Sequence, residues 1–122
     1  MELGTVHHVS INVADVEGTA PFYTDVLGME VLERPDFGFN GRWLRTSGGA
    51  EVHLIEVENW EPPKGQHWAF RVEDINATVG KLREKGVKVR DPKPLPGTSA
   101  KQTFFFDPAG NMIELNQPYL NF

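Results

Sequence analysis

The sequence predicts an α+β fold of two tandem βαβββ modules, which form a curled mixed sheet, or half-barrel, with the helices outside. Three observations predict this fold. The chain contains an internal repeat. Each half begins with the alternation of apolar and polar residues that is typical of a strand. Each half also carries one apolar stripe at helical spacing, followed by further strand patterns.

The repeat divides the chain into two modules. The segment HVSINVAD, from His8 to Asp15, resembles HWAFRVED, from His67 to Asp74, at an offset of 59 residues. EVHL at residues 51–54 resembles MIEL at residues 112–115 at an offset of 61. Module 1 is therefore predicted at about residues 5–58 and module 2 at about 66–117, joined by a Pro- and Gly-containing linker at 59–65. We expect residues 1–122 to form a single domain.

Local patterns place the elements of module 1. Alternation from Val6 to Val13 predicts a strand. Thr19 is the expected cap of a helix that has Pro21 in its first turn and ends at Gly28. Three further strands are predicted at residues 29–33, 42–46 and 51–57.

Module 2 repeats this order. A strand at residues 67–72 precedes a helix that Asp74 caps and Gly86 ends. Strands are predicted at residues 87–90, 102–106 and 112–116, with a Pro-rich loop over residues 91–100.

Strand alternation also sorts side chains between the two faces of the sheet. One face of each first strand carries polar residues, including His8 and Asn12 in module 1 and His67 and Arg71 in module 2. His7 is predicted on the opposite, packed face. The same parity places His53 and Glu114 on the polar faces of the last strands, opposite their apolar neighbours.

The polar faces suggest a metal site. The repeat pairs His8 with His67 and His53 with Glu114, so a pseudo-twofold axis between the modules would bring the four side chains together. Two imidazoles and a carboxylate suit Fe(II), Mn, Co, Ni or Zn and leave positions open for substrate. The sequence thus predicts one central divalent metal ion bound by His8, His67 and Glu114. His53 is either a fourth ligand or a donor that orients a ligand or substrate.

Composition disfavours several other functions. The net charge is −5 and the 12 Lys and Arg residues are scattered, which disfavours a nucleic-acid partner. There is no cysteine, so disulfides, thiolate nucleophiles and Cys-bound zinc are excluded. An apolar run long enough for a membrane span and a recognisable signal peptide are both lacking, and we therefore expect a cytoplasmic protein without membrane contact.

Three motifs resemble the vicinal oxygen chelate superfamily, which includes glyoxalase I, methylmalonyl-CoA epimerase, extradiol dioxygenases and metal-free bleomycin-binding proteins. They are the opening HHVSINV with FY and VLGM, the central QHWAFRVEDI and the closing FFFDPAGNMIEL. The resemblance covers nearly the whole chain. It implies ligands at His8, His67 and Glu114, with His53 where family members commonly have Glu or Gln. It also implies a homodimer and a small-molecule substrate.

The resemblance and the ligand types favour isomerase or lyase chemistry of the glyoxalase or epimerase kind on a substrate with two neighbouring oxygens. Glu114 is the first candidate base and His53 the second. The predicted substrate contacts are Arg71, Asn12, Trp43 and Phe105. Extradiol cleavage with Fe(II), thiol transfer to fosfomycin and antibiotic binding without turnover are the alternatives.

Overall fold

The computed structural model describes residues 1–118. The chain divides into two compact units, residues 1–61 and 62–122, and the boundary falls inside the predicted linker. The single-domain prediction also covers residues 119–122, which lie outside the described residues.

Unit 1 has the predicted βαβββ order. Its sheet is mixed, because β1 and β4 are parallel whereas β4 with β3 and β3 with β2 are antiparallel. The strand order across the sheet is β1-β4-β3-β2. The elements are β1 (His8–Val13), α1 (Val16–Pro21), a π-helical turn (Phe22–Val26), β2 (Glu30–Leu32), β3 (Gly41–Arg45) and β4 (Glu51–Glu56).

Unit 2 repeats the arrangement, with the order β5-β8-β7-β6. Again the first and last strands of the unit are parallel neighbours and the remaining pairs are antiparallel. The elements are β5 (His67–Arg71), α2 (Ile75–Glu84), β6 (Lys93–Pro94), β7 (Lys101–Phe106) and β8 (Met112–Gln117). The predicted α+β fold of two βαβββ repeats is therefore confirmed.

Each sheet buries one face. In unit 1, Leu44, Val52 and Leu54 have no exposed surface, and in unit 2 Ile113 has none. Full burial of such an aliphatic side chain stabilises the fold by about 1.5–3 kcal/mol. The packed faces thus fix which side chains lie on the opposite, polar faces.

The first helix begins earlier than predicted. Asp15, not Thr19, is its cap, since the Asp15 carboxylate accepts a hydrogen bond from the Gly18 N–H at 3.1 Å. Thr19 lies inside the helix and is buried, and its backbone N–H donates to the Asp15 carbonyl at 3.0 Å. Pro21 consequently lies at the end of α1, where the chain passes into the wider π-helical turn. In unit 2, Asp74 caps α2 as predicted, by accepting from the Ala77 N–H at 3.1 Å.

In both units, a side chain at the end of the last strand accepts a hydrogen bond from the first residue of the helix. Glu56 Oε2 accepts a hydrogen bond from the Val16 N–H at 3.0 Å, and Gln117 Oε1 accepts one from the Ile75 N–H at 2.9 Å. Because the first N–H groups of a helix have no partner within it, each contact satisfies a buried donor.

The predicted strand at residues 87–90 is wrong. Residues 87–92 form no strand, and the short edge strand β6 begins at Lys93, inside the predicted loop. Two backbone carbonyls that could have accepted hydrogen bonds from a neighbouring strand accept them from side chains instead. Arg83 Nη2 donates to the Val89 carbonyl at 2.7 Å, and Thr103 Oγ1 donates to the Arg90 carbonyl at 2.6 Å. Within residues 1–118, none of the helices has the length and apolar character of a membrane span.

Candidate functional site

The most closely coupled pair of predicted ligands lies in unit 2. His67, on β5, and Glu114, on β8, are on the same face of the sheet, and His67 Nε2 lies 3.1 Å from Glu114 Oε1. The Glu114 side chain is 10% exposed and that of His67 is 34% exposed. The carboxylate is thus largely removed from water, while the imidazole still reaches solvent.

In both His67 and Glu114, the polar atom that faces away from the partner has a hydrogen-bonding contact of its own. His67 Nδ1 lies 2.9 Å from the Gly65 carbonyl, an oxygen that only accepts, so Nδ1 carries the proton. At 3.1 Å, Nε2 and the carboxylate oxygen require a proton or a cation between them. The second Glu114 oxygen accepts a hydrogen bond from Asn116 Nδ2 at 3.0 Å, which fixes the carboxylate plane.

Unit 1 arranges its histidines differently. His8 on β1 and His53 on β4 have nearly parallel rings, with centroids 4.0 Å apart. Trp43 on β3 covers the other face of His53 at 4.4 Å. His53 is buried between them, with 7% of its surface exposed. Three adjacent strands therefore contribute one ring each to a stack on the polar face.

Glu51 and His7 lie beside this stack of rings, and neither was predicted as part of the site. Glu51 Oε1 accepts a hydrogen bond from His53 Nε2 at 3.0 Å, and its other oxygen lies 3.7 Å from His7 Nε2. The hydrogen bond from His53 lowers the pKa of the Glu51 carboxyl from its ordinary value. Desolvation is the next largest effect and raises this pKa, while the charges of His7, His53 and Arg45 lower it by smaller amounts.

His7 was expected on the packed face but is exposed, and its Nδ1 lies 2.8 Å from Nδ1 of His8. Strand alternation does not decide on which face the His7 side chain lies, because β1 begins only at His8. Glu51 was detectable, since it lies two residues before His53 and thus on the same strand face. The repeat hid it by aligning it with Met112.

The predicted substrate contacts fall into two groups. Asn12, Trp43 and Arg71 lie on the polar faces. Trp43 pairs with the candidate ligand His53, whereas Asn12 pairs with Ile55 and Arg71 with Asn116. Phe105 instead lies in the core of unit 2, where it pairs with Ile113 and is 1% exposed. Its burial argues against contact with a substrate. Phe104 is the aromatic residue on the polar face, with its ring edge-on to His67 at 5.3 Å.

These pairs supply nitrogen and oxygen donors suited to a divalent metal ion. Among residues 1–118, no group of three or more His, Asp or Glu side chains is arranged so that it could hold an ion. Each unit thus offers two candidate donors rather than a complete ligand set.

Comparisons with known proteins agree with the fold. The sequence profile of the Glyoxalase/Bleomycin resistance protein/Dioxygenase superfamily matches residues 5–115. The chain is 36% identical over 121 residues to the "Probable lactoylglutathione lyase" of a Synechocystis strain. The aligned region covers 90% of this chain and 92% of the relative.

Similar solved structures include a glyoxalase family protein and an antibiotic binding protein. A glyoxalase family protein from Enterococcus faecalis has a TM-score of 0.79 at 32% identity and covers 93% of this chain and 97% of its own. TnmS3, an antibiotic binding protein from a Streptomyces species, has a TM-score of 0.77 at 32% identity and covers 97% of this chain and 98% of its own. With the profile match over nearly its whole length, the chain belongs to the glyoxalase, bleomycin resistance protein and dioxygenase superfamily.

Proposed function

We propose that the protein is a divalent-metal-dependent lyase or isomerase of the glyoxalase kind, acting on a small substrate with two neighbouring oxygens. The metal ligands are His8, His67 and Glu114, with His53 as the fourth. The observation that carries this proposal is the His67–Glu114 pair. Its outer atoms are fixed by Gly65 and Asn116, and its inner atoms, His67 Nε2 and Glu114 Oε1, lie 3.1 Å apart, a separation that a proton or a metal ion can bridge.

Such outer contacts are the usual support of metal-binding histidines and carboxylates. A bound divalent ion supplies a Lewis acid that polarises the substrate oxygens and stabilises the negative charge that develops on them. Nickel, zinc, cobalt, manganese and iron all suit this donor set.

The chain's own residues supply the proton transfer. Asn116 occupies one Glu114 oxygen, so Oε1 is the atom of that carboxylate best placed to accept a substrate proton. His53 is the second candidate base, since the hydrogen bond to Glu51 and the rings of His8 and Trp43 hold its imidazole in one orientation. Arg71 and Asn12 are proposed to bind the polar groups of the substrate.

The name of a relative supports the lyase reaction, because the Synechocystis protein, at 36% identity, is called a probable lactoylglutathione lyase. Cleavage of a catechol ring with Fe(II) uses a similar ligand set, and the identity of the bound metal separates the two chemistries. We further propose that the protein is a cytoplasmic homodimer.

The first experiment is elemental analysis by mass spectrometry of the untagged protein, with the variants His67→Ala and Gln66→Ala beside it. We expect about one equivalent of metal per chain, lost in His67→Ala and retained in Gln66→Ala, whose exposed side chain is the neighbouring control. Turnover is then assayed in the direction that forms lactoylglutathione. Protein that takes up no metal after reconstitution would refute the proposal.

A second function, sequestration of a small molecule without turnover, is favoured by two observations. One relative of known structure is named an antibiotic binding protein, at 32% identity. Phe37 and Phe39 are also half-exposed on the surface of unit 1. Tight ligand binding that needs neither metal nor His67 would support this function over the enzyme.

A further inference from the structure

The segment between β2 and β3 exposes an unusual group of rings. Phe37 and Phe39 are 50% and 49% exposed, and their rings stack with centroids 5.7 Å apart. Phe37 also contacts Trp43 at 5.9 Å. Phenylalanine is most often buried, and neighbouring exposed rings are typical of a binding surface. We call Arg34, Phe37, Phe39 and Trp43 the loop cluster.

Arg34 organises the loop cluster. Its guanidinium carbon lies 5.0 Å from the Phe37 ring centroid and 5.1 Å from that of Phe39. Its Nη1 donates to the Phe39 carbonyl at 3.2 Å. The cation therefore holds both rings, and the loop's own backbone holds the cation. A binding surface arranged in advance in this way loses less entropy when a ligand binds.

Arg34 also differs from the other cation that lines this region. Arg42 forms an ion pair with Glu17, whereas within residues 1–118 the structure gives Arg34 no ion pair with a carboxylate. Asp36, the acidic residue of the loop, directs Oδ1 to the Gly38 N–H at 2.9 Å. The loop cluster thus presents one positive charge beside aromatic surface.

A groove runs along the loop cluster. Its volume is about 570 Å³, within the range of small-molecule sites, and its lining includes Arg34, Phe39 and Trp43. Asp36 and Arg42 also line it, with Asp36 bonded to the Gly38 N–H and Arg42 paired with Glu17. Trp43 continues the aromatic wall to His53 at 4.4 Å, and His53 continues it to His8 at 4.0 Å. Within unit 1, an unbroken series of rings leads from the exposed loop to two of the candidate ligands.

We propose that this groove binds a planar aromatic carboxylate, with the ring against Phe39 and Trp43 and the carboxylate at Arg34. Phe37 does not line the groove but contacts both of these rings and supports them. A flat ring matches the stacked rings, and an anion matches the cation that has no carboxylate partner. The inference deepens the proposed function, because it names the chemical class of a substrate whose reacting end would lie towards His53 and His8. Binding of the ring itself needs no metal.

The test is calorimetric titration of the full chain with 2-naphthoate, first after chelator treatment and then with metal restored. We expect saturable binding in both states, and binding of cyclohexanecarboxylate at least about tenfold weaker, since it has the charge but no flat ring. Phe37→Leu and Phe39→Leu should each raise the Kd about three- to tenfold, the range expected for loss of one aromatic pair. Arg34→Lys should weaken binding similarly, because it keeps the charge and loses the planar group.

Phe106→Leu is the matched control, because Phe106 is 52% exposed and lies in unit 2. It should leave the Kd unchanged. Equal binding of the two carboxylates, or an equal effect of Phe106→Leu, would overturn the proposal. So would unchanged naphthoate binding in Phe37→Leu and Phe39→Leu together with a changed sedimentation coefficient, which would make the loop cluster a contact between copies of the chain. Naphthoate binding without metal uptake would uphold this inference while the proposed enzyme function fails.

Discussion

Replacement of Glu114 by glutamine is the sharpest perturbation of the proposed metal site. Glutamine keeps the volume of the side chain, and its amide oxygen can still accept the hydrogen bond from Asn116. It removes the negative charge that lies 3.1 Å from His67 Nε2. Metal affinity should fall by at least about 100-fold, because changes to the outer partners of ligands alone cost about 10- to 100-fold.

This loss translates into a difference in thermal stability. At a metal concentration 100 times the wild-type Kd, binding stabilises the folded state by about 2.7 kcal/mol. After a 100-fold loss of affinity, the same concentration contributes only about 0.4 kcal/mol. For 122 residues the unfolding entropy is about 0.26 kcal/mol per kelvin. Metal should therefore raise the Tm of the wild type by about 10 °C and that of Glu114→Gln by about 2 °C.

The assay is thermal unfolding followed by circular dichroism, with and without added metal. Glu58→Gln is the control, since it makes the same chemical change at an exposed position. Its Tm should rise with metal as far as that of the wild type. If Glu114→Gln shows the full wild-type increase, Glu114 is not a ligand and the inference from the His67–Glu114 distance is refuted.

Three further changes test other parts of the structure. Glu51→Ala removes the hydrogen bond that orients His53 and should lower metal affinity about tenfold in competition with a chromophoric chelator, and unchanged affinity would count against His53 as a ligand. Asp74→Ala removes the cap of α2 and should cost about 1 kcal/mol, or about 4 °C in Tm, whereas Asp74→Asn should keep most of that stability. Gly41→Ala places a methyl group 2.5 Å from the Leu54 carbonyl oxygen and 2.8 Å from Arg34 Nη2, so urea unfolding should show a loss of about 1–3 kcal/mol. Gly80→Ala, in α2, where no atom outside the neighbouring helix backbone lies within 4 Å of the added carbon, should instead stabilise by about 0.5–1 kcal/mol. An equal loss in both variants would contradict the argument from close contacts.

The order of elements was predictable because the internal repeat shows the same order of patterns in both modules. Alternation identified β1 and β5, and the repeat then transferred each interpretation between the modules. The error at the start of α1 arose because a local signal was preferred to the repeat. Asp15 aligns with Asp74, which was identified correctly as a cap, but the pair Thr19 and Pro21 offered a second local signal. Local capping patterns cannot rank two such candidates, and the contact of Glu56 with the Val16 N–H is a tertiary one.

The polar faces were also predictable, because a side-chain period of two leaves no freedom once the apolar face is known. The partners across strands were not, since they depend on register. Parity within β8 correctly placed Glu114, but it could not tell which of Phe104 and Phe105 lies beside it. The structure pairs Phe104 with Glu114 and Phe105 with Ile113.

Register also shows a relationship between the units that the sequence alone obscured. In unit 1, Trp43 pairs with His53, and in unit 2, Phe104 pairs with Glu114, so both partners are related by the offset of 61 residues. Each unit therefore places an aromatic ring beside the candidate donor of its last strand, next to the histidine of its first strand. The donors nevertheless differ in how they are held. His53 is held by rings on both faces and by Glu51, whereas Glu114 is held by hydrogen-bonding distances to His67 and Asn116.

This difference has a chemical consequence. An imidazole between two rings has a fixed plane, while a carboxylate with one oxygen on Asn116 keeps the other directed at His67. Divergence at three aligned positions accompanies it, namely Glu51 with Met112, His53 with Glu114 and Ile55 with Asn116. Duplication of one module would give two equal pairs of donors, whereas this chain has one pair stacked and one pair joined at hydrogen-bonding distance. An unequal donor set of this kind suits a reaction in which one group binds and another accepts a proton.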